Sequence, residues 1–247
     1  SQKSDWEVLG NTLSSNGDLE NPSSVFVTNN GIIYVSTYET NTVVKKDGDT
    51  WSVIADSSDG IENPTDVWVT DNETVYIVYN GNGTSGGGVI KKGPDDSDWL
   101  EVDLIFSYAA ADGAPKKIKV LEDGTIYVLS SYAQGYLAMK DSDGNWSTIA
   151  IATEDWEQYS TYNYVRDFDV DSNGDVYISL NANDVEGSLG IVKKKFNETT
   201  WTQFAGDGID TGVYQFGNDT EKIECAIKIK NGILYFLGPY DLVTKKL

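Results

Sequence analysis

Five tryptophans divide the chain into similar lengths: Trp6, Trp51, Trp99, Trp146 and Trp201 stand 45, 48, 47 and 55 residues apart. Repetition at such a period confines a chain to architectures built from one supersecondary unit used many times. Other features recur in step. Each unit holds a tyrosine in a short apolar run: Ile33-Tyr34-Val35, Val75-Tyr76-Ile77, Ile126-Tyr127-Val128, Val176-Tyr177-Ile178 and Leu234-Tyr235-Phe236. A glycine turn precedes four of these runs, at Gly31, Gly124, Gly174 and Gly232. Before the turn lies an alternating strand, marked by Val25/Val27, Val67/Val69, Ile118/Val120, Phe168/Val170 and Ile227/Ile229. After the tyrosine comes a strand ending in lysine, and a Gly/Asp/Asn turn then leads to the tryptophan. Each unit therefore reads as four short strands, here a to d, joined by hairpins.

A lone four-stranded antiparallel sheet cannot bury both faces, but sheets arranged in a ring can, and they leave few open edges. Period-2 patterning with no helical stretch excludes a βαβ fold. The reading is an all-β, five-bladed β-propeller of four-stranded antiparallel blades, a single domain over residues 1–247. Its blades fall at about 21–55, 63–103, 114–150, 164–205 and 223–247 plus 5–9. The last blade has strands a to c, and Trp6-Glu7-Val8-Leu9 reads as an orphan strand d. The N-terminal strand is expected to join the last blade and close the ring.

Composition narrows the chemistry. The chain has no histidine and one cysteine, Cys225, so it can form neither imidazole-based catalytic pairs nor an internal disulfide. Its formal net charge of -21 repels phosphate backbones and anionic lipid, which argues against nucleic acid and membrane surfaces as partners. No apolar run approaches the ~18 residues that span a bilayer, so membrane insertion is not expected. The first residues, Ser1 to Asp5, carry no apolar signal core, so any secretion signal is expected to have been removed already. Glycosylation sequons begin at Asn72, Asn82, Asn145, Asn197 and Asn218, and they point to a secreted, extracellular glycoprotein.

The run Asn63-Pro64-Thr65-Asp66-Val67-Trp68-Val69, followed by Val75-Tyr76-Ile77 and Lys91-Lys92, resembles the NHL-type propeller repeat. Asn21-Pro22-Ser23-Ser24-Val25-Phe26-Val27 resembles it in the same way. The blade number, the period and Lys91-Lys92-Gly93-Pro94 with Asp98-Trp99-Leu100 are similar to tachylectin, a five-bladed sugar-binding propeller. Both resemblances imply a propeller fold, and the second implies lectin-like sugar binding. The aromatic sugar-site segment of the tachylectin family is not reproduced here, and no binding residue is carried over from it.

Candidate sites follow from where the loops must gather. The d-to-a segments, 10–21, 56–63, 103–114, 151–164 and 206–223, hold fourteen Asp or Glu and a single lysine, Lys222. Two of them are aromatic as well: Trp156, Tyr159, Tyr162 and Tyr164 in one, Tyr214 and Phe216 in the other. Aromatic faces stack on sugar C–H groups while carboxylates accept from hydroxyls; the same side chains could also only pack the loops onto the blades. Asp66 and Asp167 occupy matching positions at the start of strand a, and Glu224 lies near that level. These three are the candidates for a cation such as Ca2+ at the channel, although a structural ring of ion pairs is preferred and no cofactor is expected. Asp169-Val170-Asp171-Ser172-Asn173-Gly174-Asp175 looks like the start of a calcium loop, but its twelfth position is Leu180 and other blades use the same place as a plain turn. Lys119, Asp169 and Lys228 share a position on strand a, so Asp169 is expected to pair with one of these lysines within about 4 Å. The five repeat tryptophans are assigned to packing.

These features suggest a non-catalytic recognition protein that binds carbohydrate, or a protein partner, through an acidic, aromatic loop face. Two alternatives are a metal-dependent or carboxylate-based hydrolase of glycosidase or lactonase type, and a structural subunit of an extracellular assembly.

Overall fold

A computed structural model describes residues 19–81, 87–102, 114–130, 136–151, 163–182, 190–206, 226–237 and 242–247. The chain is all-β, with five antiparallel blades of a β-propeller, as the repeat predicts. It divides into two compact units, Ser1–Leu104 with Ala114–Ile118, and Ile105–Gly113 with Lys119–Leu247.

The first unit holds two complete sheets. One runs β1 (Pro22–Val27), β2 (Ile33–Thr37), β3 (Thr42–Asp47), β4 (Thr50–Ala55); the other runs β5 (Pro64–Val69), β6 (Val75–Tyr79), β7 (Gly88–Lys92), β8 (Leu100–Val102). Strands neighbour one another in chain order because every connection is a hairpin. Alternation sends Val67 and Val69 to the same side of β5, where they bury against Tyr34, Val43, Ala55, Ile61, Ile77 and Ile90. The matching residues of the first sheet, Val25 and Val27, are 64% and 57% exposed.

β9 (Pro115–Val120) begins in the first unit's short segment and continues into the second. It belongs to the sheet with β10 (Ile126–Ser130), β11 (Tyr136–Lys140) and β12 (Trp146–Ile151). Next come β13 (Asn163–Val170), β14 (Val176–Ala182), β15 (Gly190–Lys194) and β16 (Thr202–Gly206). The last sheet has three described strands, β17 (Ala226–Lys230), β18 (Ile233–Leu237) and β19 (Leu242–Lys246). Residues 6–9, assigned from sequence as its fourth strand, lie outside the described residues.

Two apolar layers fill the second unit. Tyr127, Leu129 and Leu137 pack against Phe168, Val170 and Ile178, and Tyr177 and Ile191 pack against Ile227, Leu234 and Phe236. Burial, with the charge of Asp123 adding to it, pushes the Tyr127 hydroxyl up to about 12. No helix among the described residues is long and apolar enough to cross a membrane.

Candidate functional site

The first strand of each sheet has only one hydrogen-bonded neighbour, so alternate N–H groups on its free edge need another acceptor. The repeated acids supply it. In the first unit, Asp66 on β5 is 8% exposed. Its Oδ2 accepts from the Ile118 N–H at 2.9 Å, and its Oδ1 accepts from Ser24 Oγ at 2.5 Å and from the Val67 N–H at 3.0 Å. One carboxylate thereby joins β1, β5 and β9. Burial raises its pKa above the ordinary carboxylate value, against the pull of the Ser24, Ile118 and Val67 donors and the charge of Lys117.

The second unit repeats the device. Asp167, 7% exposed, accepts from the Phe168 N–H at 2.8 Å and, through its other oxygen, from the Ile227 N–H at 2.9 Å. Two residues on, Asp169 accepts from the Val170 N–H at 2.9 Å and the Ile229 N–H at 2.6 Å. Asp169 also forms the expected ion pair with Lys119, whose ammonium in addition donates to the Val170 carbonyl. Of the two lysines named from sequence, Lys119 pairs with Asp169. On the side of β17, Asp169 takes the backbone N–H of Ile229. Asp66 lies in one unit and Asp167 in the other, and Glu224 lies outside the described residues. Both oxygens of Asp66 and of Asp167 are occupied by N–H or O–H donors, so each carboxylate works here as a clasp between strands.

The Asn-Pro motif adds a second clasp. Asn21 and Asn63 adopt left-handed backbone, φ 51 and 53, and turn the chain into strand a, where proline fits the strand start. The hydroxyl after each proline then reaches the next blade: Ser23 Oγ donates to the Pro64 carbonyl at 2.7 Å, and Thr65 Oγ1 to the Pro115 carbonyl at 3.3 Å.

On the loop side, the segment from Asp56 to Asn63 is described throughout. Asp56 caps a single 3-10 turn, Ser57–Asp59, and Asp59 accepts from the Asp56 N–H in return. The Ser58 hydrogen bonds hold the Asp56 carboxyl below its ordinary value, so it stays anionic. Ile61 is fully buried and pins the segment. Asn63 takes the Asn41 side-chain oxygen on its N–H at 2.6 Å and donates its own amide to the Gly81 carbonyl at 2.7 Å. Acids are thus presented on a loop whose backbone is fixed. Of the aromatic candidates, Trp156, Tyr159, Tyr162, Tyr214 and Phe216 lie outside the described residues. Tyr164 lies in β13, its backbone opposite Asn181.

The calcium-like run is a turn network. Asp171 Oδ1 accepts from the Asn173 and Asp175 N–H groups at 2.9 and 3.0 Å, and Asp175 pairs with Lys193 at 2.7 Å. Desolvation works against the Asp175 charge, but Lys193 and the Phe196 N–H outweigh it and hold the carboxyl below its ordinary value. Among the described residues, no group of three or more His, Cys, Asp or Glu is placed to hold a metal.

The tryptophans carry a partner that sequence reading missed. Lys92, Lys140 and Lys194 place their ammonium groups 5.9, 5.7 and 5.7 Å from the ring centres of Trp99, Trp146 and Trp201. The repeated order lysine, turn, tryptophan was the available signal, because strand c and strand d face each other across that turn.

No protein-family model matches the chain, and no curated protein sequence matches it. Solved structures do match in shape. An extracellular domain from B. thetaiotaomicron aligns at TM-score 0.62 with 12% identity, over 91% of this chain and 27% of that one. Virginiamycin B lyase from Staphylococcus aureus aligns at 0.55 with 14% identity, over 92% and 70%. YCF48 bound to D1 peptide aligns at 0.56 with 12% identity, over 92% and 65%. The chain therefore spans about a quarter of the first protein and about two thirds of the other two. At these identities the likeness is one of fold.

Proposed function

We propose that the chain is a non-catalytic, extracellular recognition module whose loop side binds a carbohydrate. One observation carries this reading: acids and aromatics are concentrated together in the d-to-a segments, fourteen Asp or Glu with Trp156, Tyr159, Tyr162, Tyr164, Tyr214 and Phe216. Sugar recognition needs that combination, apolar ring faces beside acceptors for hydroxyl groups. The sites of Asp66 and Asp167 favour a binding role over hydrolysis, since both carboxylates are engaged in joining strands. The sequons and the extracellular neighbour favour a secreted setting.

A second reading, a protein partner on the same side, is favoured by the peptide held by the structurally similar YCF48. A glycan array decides between them. Binding that is lost in Trp156→Ala and in Tyr214→Ala, with thermal stability retained, supports the sugar. An empty array sinks the carbohydrate reading, and pull-down of a partner that these two variants fail to capture supports the second.

A further inference from the structure

Within the first unit a cleft of about 320 Å3 opens between the a-to-b turns of the first two sheets, at the strand ends away from the loop side. Its floor is apolar, made by Phe26, Ile32, Tyr34 and Val69. Its rim carries Asn29, Asn30, Asp71 and Glu73, all exposed, and no lysine or arginine lines it. Asn29 Nδ2 donates to Asp71 Oδ1 at 3.3 Å across the gap and so ties the two turns together.

Glu73 is the odd residue in the repeat. The other four sheets place glycine at this turn position, Gly31, Gly124, Gly174 and Gly232, with φ between 68 and 88. Glu73 adopts the same left-handed backbone, φ 64, where a side chain is disfavoured. A charged residue is thus held in a glycine conformation at the mouth of an apolar cleft, and backbone strain of this kind gathers at functional positions.

We propose that this cleft is a docking site for an arginine side chain presented by a partner polypeptide. The volume is near the lower end of ligand pockets, ~300 to 1,000 Å3, and suits one long side chain rather than a folded domain. The arginine stem lies on the half-buried Phe26 and Ile32, above the buried Tyr34, and the Phe26 ring also suits a flat guanidinium. The guanidinium fork reaches the Asp71 and Glu73 carboxylates at the rim. Lysine has the charge but neither the plane nor the fork, so it binds more weakly. The chain's net charge of -21 draws a basic segment in from a distance, and the cleft selects the residue. This site is independent of the loop-side reading.

The test is a titration of the 15N-labelled full chain with N-acetyl-arginine amide at physiological salt, followed by amide chemical shifts, with the lysine amide as comparison. Saturable shifts confined to residues 26–34 and 69–74 are expected. Asp71→Asn with Glu73→Gln should weaken binding about tenfold, as expected for loss of charge-assisted fork contacts. The control Asp49→Asn with Asp95→Asn removes the same charge from exposed turns elsewhere in the unit and should leave binding unchanged. Glu73→Gly should weaken binding and raise the unfolding midpoint, because it removes the charge and the strain together. The proposal fails if the cleft amides do not move, if the control weakens binding as much as the cleft variant, or if lysine binds as well as arginine. It also fails if Glu73→Gly lowers stability, which would make Glu73 a structural part of its turn.

Discussion

The buried ion pair between Lys119 and Asp169 allows the sharpest test of the clasp. The two side chains are only 11% and 3% exposed, and Asp169 also satisfies two backbone N–H groups, those of Val170 and Ile229. Asp169→Asn keeps the shape of the side chain but removes the charge, and it leaves one oxygen for two N–H donors. Removing the anionic partner of a buried ion pair in this way costs about 3–5 kcal/mol. In a chain of this size each kcal/mol moves the melting temperature by about 2–4 °C, so the variant should melt on the order of 10 °C lower. Removing the lysine charge as well should recover much of the loss, because a buried pair replaced on both sides is often nearly neutral. The expected order of stability is wild type, then Lys119→Met with Asp169→Asn, then Asp169→Asn alone. Urea unfolding followed by tryptophan fluorescence measures all three. If Asp169→Asn lies within about 1 kcal/mol of wild type, or the double variant is no better than the single, the pair does not bear the energy assigned to it.

Three further outcomes follow from the same geometry. Asp66→Ala should cost about 1–3 kcal/mol by leaving the buried Ile118 N–H without an acceptor. Asp66→Asn should cost less, since its oxygen can still face the Ile118 N–H while its amide donates to Ser24 Oγ, and only the Val67 N–H loses its acceptor; equal losses in urea unfolding would remove the acceptor role. The Asp175 carboxyl is held below its unfolded value of 3.8, so its contribution is complete above that pH and is lost as pH falls through the lower, folded value. The stability gap between wild type and Asp175→Asn should therefore be constant near neutrality and close in strong acid, and a gap that widens there refutes the assignment. Gly174→Ala and Gly31→Ala both force alanine to positive φ, at about 1–2 kcal/mol each. A Cβ on Gly174 also falls 2.8 Å from the Phe196 ring, whereas at Gly31 it meets nothing within 4 Å. Gly174→Ala should be the worse of the two in thermal melts, and Phe196→Ala should remove the excess.

The sheets could be read from the sequence because both periods are local: alternation within a strand, and recurrence of tyrosine, turn glycine and tryptophan between blades. The Lys119 to Asp169 pair could be read as well, because two opposite charges share one repeat position on strands in adjacent blades. What Asp66 and Asp167 do was harder to see. Their alignment placed them at one level, but a sequence shows neither a strand's free edge nor the N–H groups along it, so the acids read as a ring of ion pairs or, less favoured, a cation site. Asn63-Pro64-Thr65-Asp66 was visible as a motif, while its chemistry emerges only with the next blade beside it: the threonine hydroxyl meets the Pro115 carbonyl and the carboxylate meets the Ile118 N–H. Glu73 was visible only as the blade without a glycine; its φ shows that the turn is kept and the side chain tolerated.

The acids of this chain thus divide by surroundings rather than by type. Asp66, Asp167 and Asp169 are enclosed, and each is matched by backbone N–H groups whose positions the strands dictate. Asp56 and Asp59 sit on a turn that they themselves cap, in solvent, on a loop pinned by Ile61. Removing an enclosed acid unbalances fixed donors and must appear as lost stability. Removing an exposed acid that caps only a short turn costs less, because water can take over the N–H groups it leaves. The two classes should therefore separate experimentally, with variants of the first shifting unfolding midpoints and variants of the second shifting ligand binding. A rigid blade core that needs its own carboxylates leaves those on the loops free to vary without loss of the fold.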